Sequence, residues 1–328
     1  MGKIMKNKNF NLEQKAIFYF LLIIFINFIV LSFTATGIII GIKDFILNTK
    51  STYESITCCK NICLKCLFTL RTFSIVFPWI CIILFFIGIF LSIHKAILII
   101  ASNKYFINSI ASAVTNNICH NLKDTISSLK LHNKITILDN KSSYYAFTTG
   151  LWRPRIYLSK GICSYLTTKE LTAVILHELH HKENNVPLKL FLINILCTIN
   201  FFMPINKYLL KLFSSTLEKA ADDSAISFSK EPLELASALV KLSKTYSTNI
   251  PHPVIPFFNE QTVVEDRITR LLGIPTNLLL HNKINMYISY ILSFIIISAV
   301  CLSLFFERKL IDHAINCKTL VCHMIRCS

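Results

Sequence analysis

The stretch that decides the architecture is Leu171-Thr-Ala-Val-Ile-Leu-His177-Glu178-Leu-His-His181-Lys-Glu. Its apolar residues recur at the spacing of one helix face, which predicts a buried or half-buried helix: Leu171, Val174, Ile175 and Leu179. Thr167 or Thr168, followed by Glu170, supplies the N-cap chemistry that begins a helix. We therefore expect one helix to carry His177, Glu178 and His181.

His177 and His181 lie one turn apart on the same face of this helix, a spacing that lets two imidazoles bind one tetrahedral zinc ion. Glu178 is rotated by about 100° around the helix axis, so it lies close to such a metal without binding it. That is the position of a general base beside a catalytic metal. A chance match to this three-residue pattern is expected in about one chain in a hundred of this length. His180 is interpreted as a bystander or as a donor around the site.

A second acidic segment, Leu217-Glu218-Lys-Ala-Ala-Asp222-Asp-Ser-Ala, is also helical in character. A catalytic zinc ion takes three protein ligands, whereas a structural one takes four, usually with cysteine among them. Glu218 is the predicted third ligand and gives a two-His, one-Glu site. Asp222, one turn further, is expected to accept the remaining N–H of a ligand histidine and to orient it. The alternative for such an acidic run is a solvated helix face.

The 328 residues are 53% hydrophobic, with a mean hydropathy of +0.54, which indicates a membrane protein. Three apolar blocks, at about residues 16–42, 72–93 and 284–306, are long enough to cross roughly 30 Å of hydrocarbon. The predicted order is a transmembrane hairpin at 1–100, a zinc metallopeptidase domain at 101–283, a closing span at 284–306 and a cysteine-containing tail at 307–328.

The apolar stretch at 190–205 cannot be a further span, because the ligands on either side of it must share one side of the membrane. It must re-enter the membrane, lie in the interface or pack in the domain core.

The net charge of +16 does not indicate nucleic-acid binding, since lysines that flank spans and face anionic lipid explain it. No direct contact with nucleic acid is expected, and the lipid bilayer is the expected surroundings. The cysteines crowd the first loop (Cys58, Cys59, Cys63, Cys66) and the tail (Cys317, Cys322, Cys327). Disulfides, metal binding and a simple accumulation of small apolar residues all remain open for them.

Ahead of the histidine helix, residues 134–138, 144–148 and 155–158 read as short strands separated by turn residues. The predicted fold class is therefore α+β, with transmembrane helices and a small sheet beside the metal helices. An edge strand at such a site lets an extended polypeptide bind by main-chain hydrogen bonds. Which strand forms the edge cannot be read from the sequence.

The order of HExxH and then ExxAD on a later helix resembles that of integral-membrane gluzincins, which include HtpX and CAAX-prenyl-protease-type enzymes. Residues 146–158 and 264–272 look more like the peptidase part of the penicillin-sensing receptors that regulate beta-lactamase and methicillin resistance. The resemblance covers about residues 135–275. It implies a zinc endopeptidase domain with His177, His181 and Glu218 as ligands and Glu178 as base.

The resemblance also implies a cell-membrane protein whose catalytic domain faces the cytoplasm. Only two apolar blocks precede the domain, where the receptors have three spans, so antibiotic sensing is not expected to carry over. Hydrolysis of peptide bonds in protein substrates is expected, with cleavage of a cytoplasmic regulator, such as a transcriptional repressor, as one role. A quality-control protease for membrane proteins is an alternative. A non-catalytic signalling or scaffold protein with a vestigial zinc site is another, although a relic has no chemical reason to keep all four residues.

Overall fold

A computed structural model describes residues 2–48, 63–111, 114–115, 119–129, 131, 134–245, 261–274, 287–294 and 298. Helices precede and follow a run of three strands in this order: α1 (Gly2–Asn48), α2 (Cys63–Ala111), α3 (His120–Ser128), β1 (Ile135–Leu138), β2 (Ala146–Thr149), β3 (Arg155–Ser159), α4 (Ile162–Tyr165), α5 (Thr168–Glu183), α6 (Val186–Ile199), α7 (Pro204–Ser229), α8 (Pro232–Thr245) and α9 (Gln261–Leu271). The chain is mostly helical with one small sheet, and the α+β prediction is confirmed to that extent.

Among the described residues, two helices are long and apolar enough to cross a membrane, with apolar parts at Leu12–Ile39 in α1 and Trp79–Ser109 in α2. The predicted spans at 16–42 and 72–93 fall within these two helices, which continue well beyond them. Of the third predicted span, at 284–306, only 287–294 and 298 are described, and they are helical. The tail at 307–328 and the cysteines before Cys63 lie outside the described residues. The predicted domain boundaries remain predictions.

The sheet has the order β1-β3-β2, with β1 parallel and β2 antiparallel to the central strand. Successive side chains of its strands point to opposite faces of the sheet, as expected for a sheet covered on both faces. Ile156 and Leu158 pack towards α5, whereas Tyr157 packs with Phe106 of α2. Tyr145 lies just before β2, where its backbone N–H donates to the Ser159 hydroxyl at 3.0 Å. The predicted second strand therefore begins later than expected, because a side chain replaces the ladder partner there.

Helix α5 begins with a capping box that matches the sequence pattern. The Thr167 hydroxyl accepts from the Glu170 backbone N–H at 3.2 Å, and the Glu170 carboxylate accepts from the Thr167 backbone N–H at 2.8 Å. Glu170 is buried and also accepts from Ser237 and Lys241 of α8, at 2.5 and 2.8 Å. The first turn of α5 is thus tied to α8 as well as to its own cap.

Helices α6 and α7 form a hairpin that runs away from α5 and returns, rather than a single crossing. On the outward path Lys95 Nζ of α2 donates to the side chains of Asn194 and Thr198, at 3.3 and 3.2 Å. A side chain at Gly88 would place Cβ 2.1 Å from the Ile199 carbonyl oxygen, so this close contact between α2 and α6 requires glycine. The stretch at 190–205 therefore turns back against the two apolar helices.

Three buried asparagines connect α1 to the turn of this hairpin and to the start of α7. The Asn27 side chain donates to Asn206 at 2.9 Å and accepts from Asn200 at 2.8 Å. Asn206 also donates back to Asn27 at 3.0 Å. Around them the buried α1 residues Ala16, Ile23 and Val30, seven positions apart, pack against α7 and α6. This asparagine network specifies the register between α1 and α7.

We predict that Asn27→Leu lowers the free energy of unfolding by about 1–3 kcal/mol, because it removes three buried side-chain hydrogen bonds and leaves the Asn206 amide oxygen without the Asn27 donor. The midpoint of thermal unfolding in detergent or nanodiscs is the measurement. Phe28→Leu is the matched control, since Phe28 is 68% exposed on the same helix and should tolerate the change. Equal midpoints for the two variants would show that the network contributes nothing.

Candidate metal centre

Helices α5 and α7 bring three buried side chains to one point. His177 Nε2 lies 3.0 Å from His181 Nε2 and 3.4 Å from Glu218 Oε2. His181 Nε2 lies 3.2 Å from Glu218 Oε1. These three residues form a candidate metal-binding cluster (the metal cluster), and their ligand atoms all lie within 4.8 Å of one another. The structure thus brings together the three residues that the sequence predicted as ligands.

The separations of these atoms fit a tetrahedral ion. Zinc binds nitrogen and oxygen ligands at roughly 2.0–2.1 Å, which places tetrahedral ligand atoms about 3.3 Å apart. The observed separations run from 3.0 to 3.4 Å. Two ring nitrogens turned towards each other repel unless a proton or a cation lies between them. The donor set of two imidazoles and one carboxylate therefore fits a zinc ion, and His177, His181 and Glu218 could hold it.

Arg267 of α9 binds both carboxylates that α7 contributes. Its Nε and Nη2 donate to the two oxygens of Asp222, at 2.9 and 2.7 Å. Its Nη1 lies 2.7 Å from Glu218 Oε2. All three side chains are buried. Asp222 Oδ1 lies 3.0 Å from His177 Nδ1, although the two atoms are not aligned as a good hydrogen bond.

The positive charge of Arg267 dominates the electrostatics of these carboxylates. Burial by itself would raise the pKa of Asp222, but Arg267 and then His177 lower it to about 2. Burial opposes ionisation of Glu218 as well, yet Arg267 and His181 hold its pKa well below the usual range. The carboxylates in turn raise the pKa of Arg267 against the effect of its own burial. Both acids are therefore charged and available as metal-site groups.

The pKa values of His177 and His180 are shifted in opposite directions. Burial disfavours the charged form of His177, but contacts with Asp222 and Glu218 raise its pKa to about 9. In the metal-free chain this favours a protonated ring, in a place where a bound cation would supply the positive charge. Burial, followed by the charges of His181 and His177, lowers the pKa of His180 to about 4, so its ring is neutral. His180 Nδ1 lies 3.8 Å from Glu13 of α1, not in the metal cluster.

Glu178 is buried next to the first histidine and is held by the sheet. The Thr148 hydroxyl of β2 lies 2.8 Å from Glu178 Oε2 and 3.0 Å from the Glu178 carbonyl oxygen, and it can donate to either. This contact ties the edge strand β2 to the residue predicted as the base.

Sequence reasoning assigned no role to Arg267 or Thr148. Arg267 could have been found from charge, because two carboxylates on the buried face of one helix need a cationic partner. Thr148 carried no such signal, since its role depends on how β2 packs against α5.

Residues 68–271 match the protein family described as BlaR1 peptidase M56. The match covers more than half of the 328 residues, and the chain belongs to this family. The predicted resemblance to the peptidase part of penicillin-sensing receptors is thereby confirmed, and the chain is a peptidase by family. No curated protein matches the chain at a significant level.

We predict that Arg267→Met destabilises the metal-free protein by about 3–5 kcal/mol, because it leaves two buried carboxylates without their positive partner. Added zinc should restore part of the loss, since a cation again balances Glu218. Thermal unfolding with and without metal measures both effects.

Arg270→Met is the control on the same helix, because Arg270 pairs with Asp223 at a half-buried position. It should cost less than Arg267→Met, because Arg270 pairs with one carboxylate instead of two and is more exposed than Arg267. If the two variants had equal midpoints of thermal unfolding, Arg267 would not be the residue that stabilises the carboxylate pair.

Proposed function

We propose that this chain is a membrane-embedded zinc metalloendopeptidase in which His177, His181 and Glu218 bind the metal and Glu178 is the general base. The observation that carries the proposal is the convergence of three buried ligand atoms with zinc-like separations beside a buried glutamate. Membership of a peptidase family supports hydrolysis of peptide bonds as the reaction. A vestigial site has no need of this arrangement.

Each protein group has a task in such a hydrolysis. A bound zinc ion would supply a Lewis acid that polarises the scissile carbonyl and acidifies a water molecule. Glu178 accepts the proton of the attacking water and passes it to the leaving amine. Thr148 orients the Glu178 carboxylate through Oε2, at 2.8 Å. Asp222 restrains the ring of His177, as an outer carboxylate does in metal sites.

The sheet supports a polypeptide as the substrate. Strand β2 lies at one edge, and its Thr148 contacts the proposed base. The other edge, β1, carries a bridge between Leu138 and Val114. An extended peptide that adds to β2 by main-chain hydrogen bonds would therefore lie across the metal cluster. This arrangement favours cleavage within a chain.

Distances along the helices support a catalytic site at the surface of a bilayer. Asn27 is about 20 Å from Glu13 along α1, and Asn206 is about 18 Å from Glu218 along α7, at a rise of about 1.5 Å per residue. Since Asn27 and Asn206 are in contact, Glu13 and Glu218 lie at similar heights, and Glu13 lies near His180. If α1 spans the membrane, Glu13 is the second residue of its apolar part and marks the end of the hydrocarbon.

The side of the membrane and the substrate follow from the family resemblance. On that basis the catalytic domain faces the cytoplasm of a cell-membrane protein. A cytoplasmic regulator, such as a transcriptional repressor, is the class of polypeptide substrate that this orientation favours.

We predict that Glu178→Gln keeps about one zinc ion per chain and loses peptidase activity, because the base is not a ligand. Glu218→Gln should instead weaken zinc binding by 10-fold or more. Metal content by mass spectrometry and cleavage of an unfolded protein substrate, both in nanodiscs, are the measurements.

Glu183→Gln, an exposed change at the end of the same helix, is the control for both assays. Near-normal turnover by Glu178→Gln would exclude Glu178 as the base. Unchanged zinc occupancy in Glu218→Gln would place the third ligand elsewhere.

A further inference from the structure

The turn between β2 and β3, residues 150–154, presents an exposed tryptophan in a tight and rigid form. Trp152 is 84% exposed, the largest exposure of any large hydrophobic side chain among the described residues. Gly150 has φ +113°, and a Cβ there would lie 2.8 Å from the Arg153 carbonyl oxygen, so the turn requires glycine. Arg153 and Arg155 are exposed on either side of Pro154. The solvent-facing indole thus lies directly ahead of two exposed arginines.

The direction of β2 shows where this turn points. Phe147 of β2 packs against Phe106 of α2, with ring centroids 5.2 Å apart. Two residues later, the Thr149 hydroxyl donates to Asn103 at 3.1 Å. As β2 advances, its contacts on α2 therefore move from Phe106 to Asn103, deeper into the apolar part of that helix. The β2–β3 turn points along α2 towards the proposed membrane.

The height of the membrane surface on α2 follows from its contacts with the α6–α7 hairpin. Gly88 meets Ile199, the neighbour of Asn200, which bonds to Asn27 of α1. Gly88 and Asn27 are therefore at similar heights. Lys15 is the first charged residue on α1 between Asn27 and the N-terminus, and it lies about 18 Å along the helix from Asn27. The same distance from Gly88 along α2 reaches Ile100.

The side chains of α2 on the membrane side of that height are suited to contact with lipid. Ile97, Leu98 and Ile100 are 60%, 55% and 47% exposed. Asn103, which contacts Thr149, lies about 5 Å beyond Ile100 along the helix. β2 ends at Thr149 beside Asn103, and the turn that carries Trp152 follows in the direction of Ile100.

We propose that the β2–β3 turn is a membrane-surface anchor that inserts Trp152 into the lipid headgroup layer, on the side of the bilayer that faces the catalytic domain. This proposal rests on the membrane placement proposed above. The indole ring suits this layer because it is apolar with one polar N–H. The guanidinium groups of Arg153 and Arg155 suit the lipid phosphates, and more strongly so in anionic membranes.

Such an anchor would determine which substrates reach the site. Strand β2 leads into the anchor at Gly150 and holds Glu178 through Thr148, two residues earlier. The edge that receives the peptide is then fixed within a few residues' length of the lipid surface. Polypeptide segments next to a membrane are the substrate class that this arrangement favours.

The two tryptophans of the chain make the test direct, because each can be left as the sole reporter. Trp79→Phe leaves Trp152, and Trp152→Phe leaves Trp79, which begins the apolar part of α2. Each full-length variant is reconstituted in nanodiscs of phosphatidylcholine and phosphatidylglycerol, with and without lipids brominated near the headgroup. Tyrosine replaces phenylalanine in a variant that does not fold. Emission wavelength, quenching by brominated lipid and quenching by acrylamide in water are measured.

The anchor predicts blue-shifted emission from Trp152, loss of intensity with brominated lipid to an extent similar to that of Trp79, and weak quenching by acrylamide. Quenching of Trp79 alone by lipid, with Trp152 open to acrylamide, would overturn the anchor and leave the membrane placement intact. Protection of Trp152 from both quenchers would also overturn it, in favour of a covering protein surface. If brominated lipid quenched neither tryptophan, the membrane placement and the anchor would fail together.

Discussion

Two carboxylates, Glu218 and Asp222, lie buried one turn apart on α7, and they stay ionised because Arg267 donates to both. Without that guanidinium, burial would favour their neutral forms, and neither would serve well as a metal ligand or as a partner for His177. The third element of the centre therefore comes from α9, beyond the two helices that carry the ligand motifs. One arginine therefore joins the proposed ligand Glu218, the proposed orienting acid Asp222 and the C-terminal part of the peptidase region.

Helix α7 transmits this constraint to the rest of the molecule. Its second half carries Glu218 and Asp222, whereas its first turn carries Asn206, which is fixed to Asn27 of α1. The same rigid helix therefore sets the distance between the metal cluster and the middle of an apolar helix. Strand β2 supplies a second connection, since it contacts α2 on one face and α5 on the other. The proposed base and ligands are thus positioned relative to both candidate spans.

The sequence predicted the parts of this site that depend on local geometry. The i, i+4 spacings of His177 with His181 and of Glu218 with Asp222 follow from helical periodicity, as does the capping box at Thr167. It did not predict Arg267 or the asparagine network, because those contacts join segments far apart in the chain. Hydropathy located apolar blocks inside α1 and α2 but not the helix ends, since polar and charged residues continue both helices beyond those blocks. The edge strand became identifiable only from the order of the sheet.

The central claim is a zinc ion held by two imidazoles and a carboxylate, in a chain that also has twelve cysteines. Zinc K-edge X-ray absorption of the full-length protein in nanodiscs, loaded with one equivalent of zinc, tests it most directly. The site described here predicts a first shell of nitrogen and oxygen alone, at about 2.0–2.1 Å, with the outer-shell pattern of two histidine rings. Sulfur scattering at about 2.3 Å would mean that cysteines hold the metal and would contradict the account.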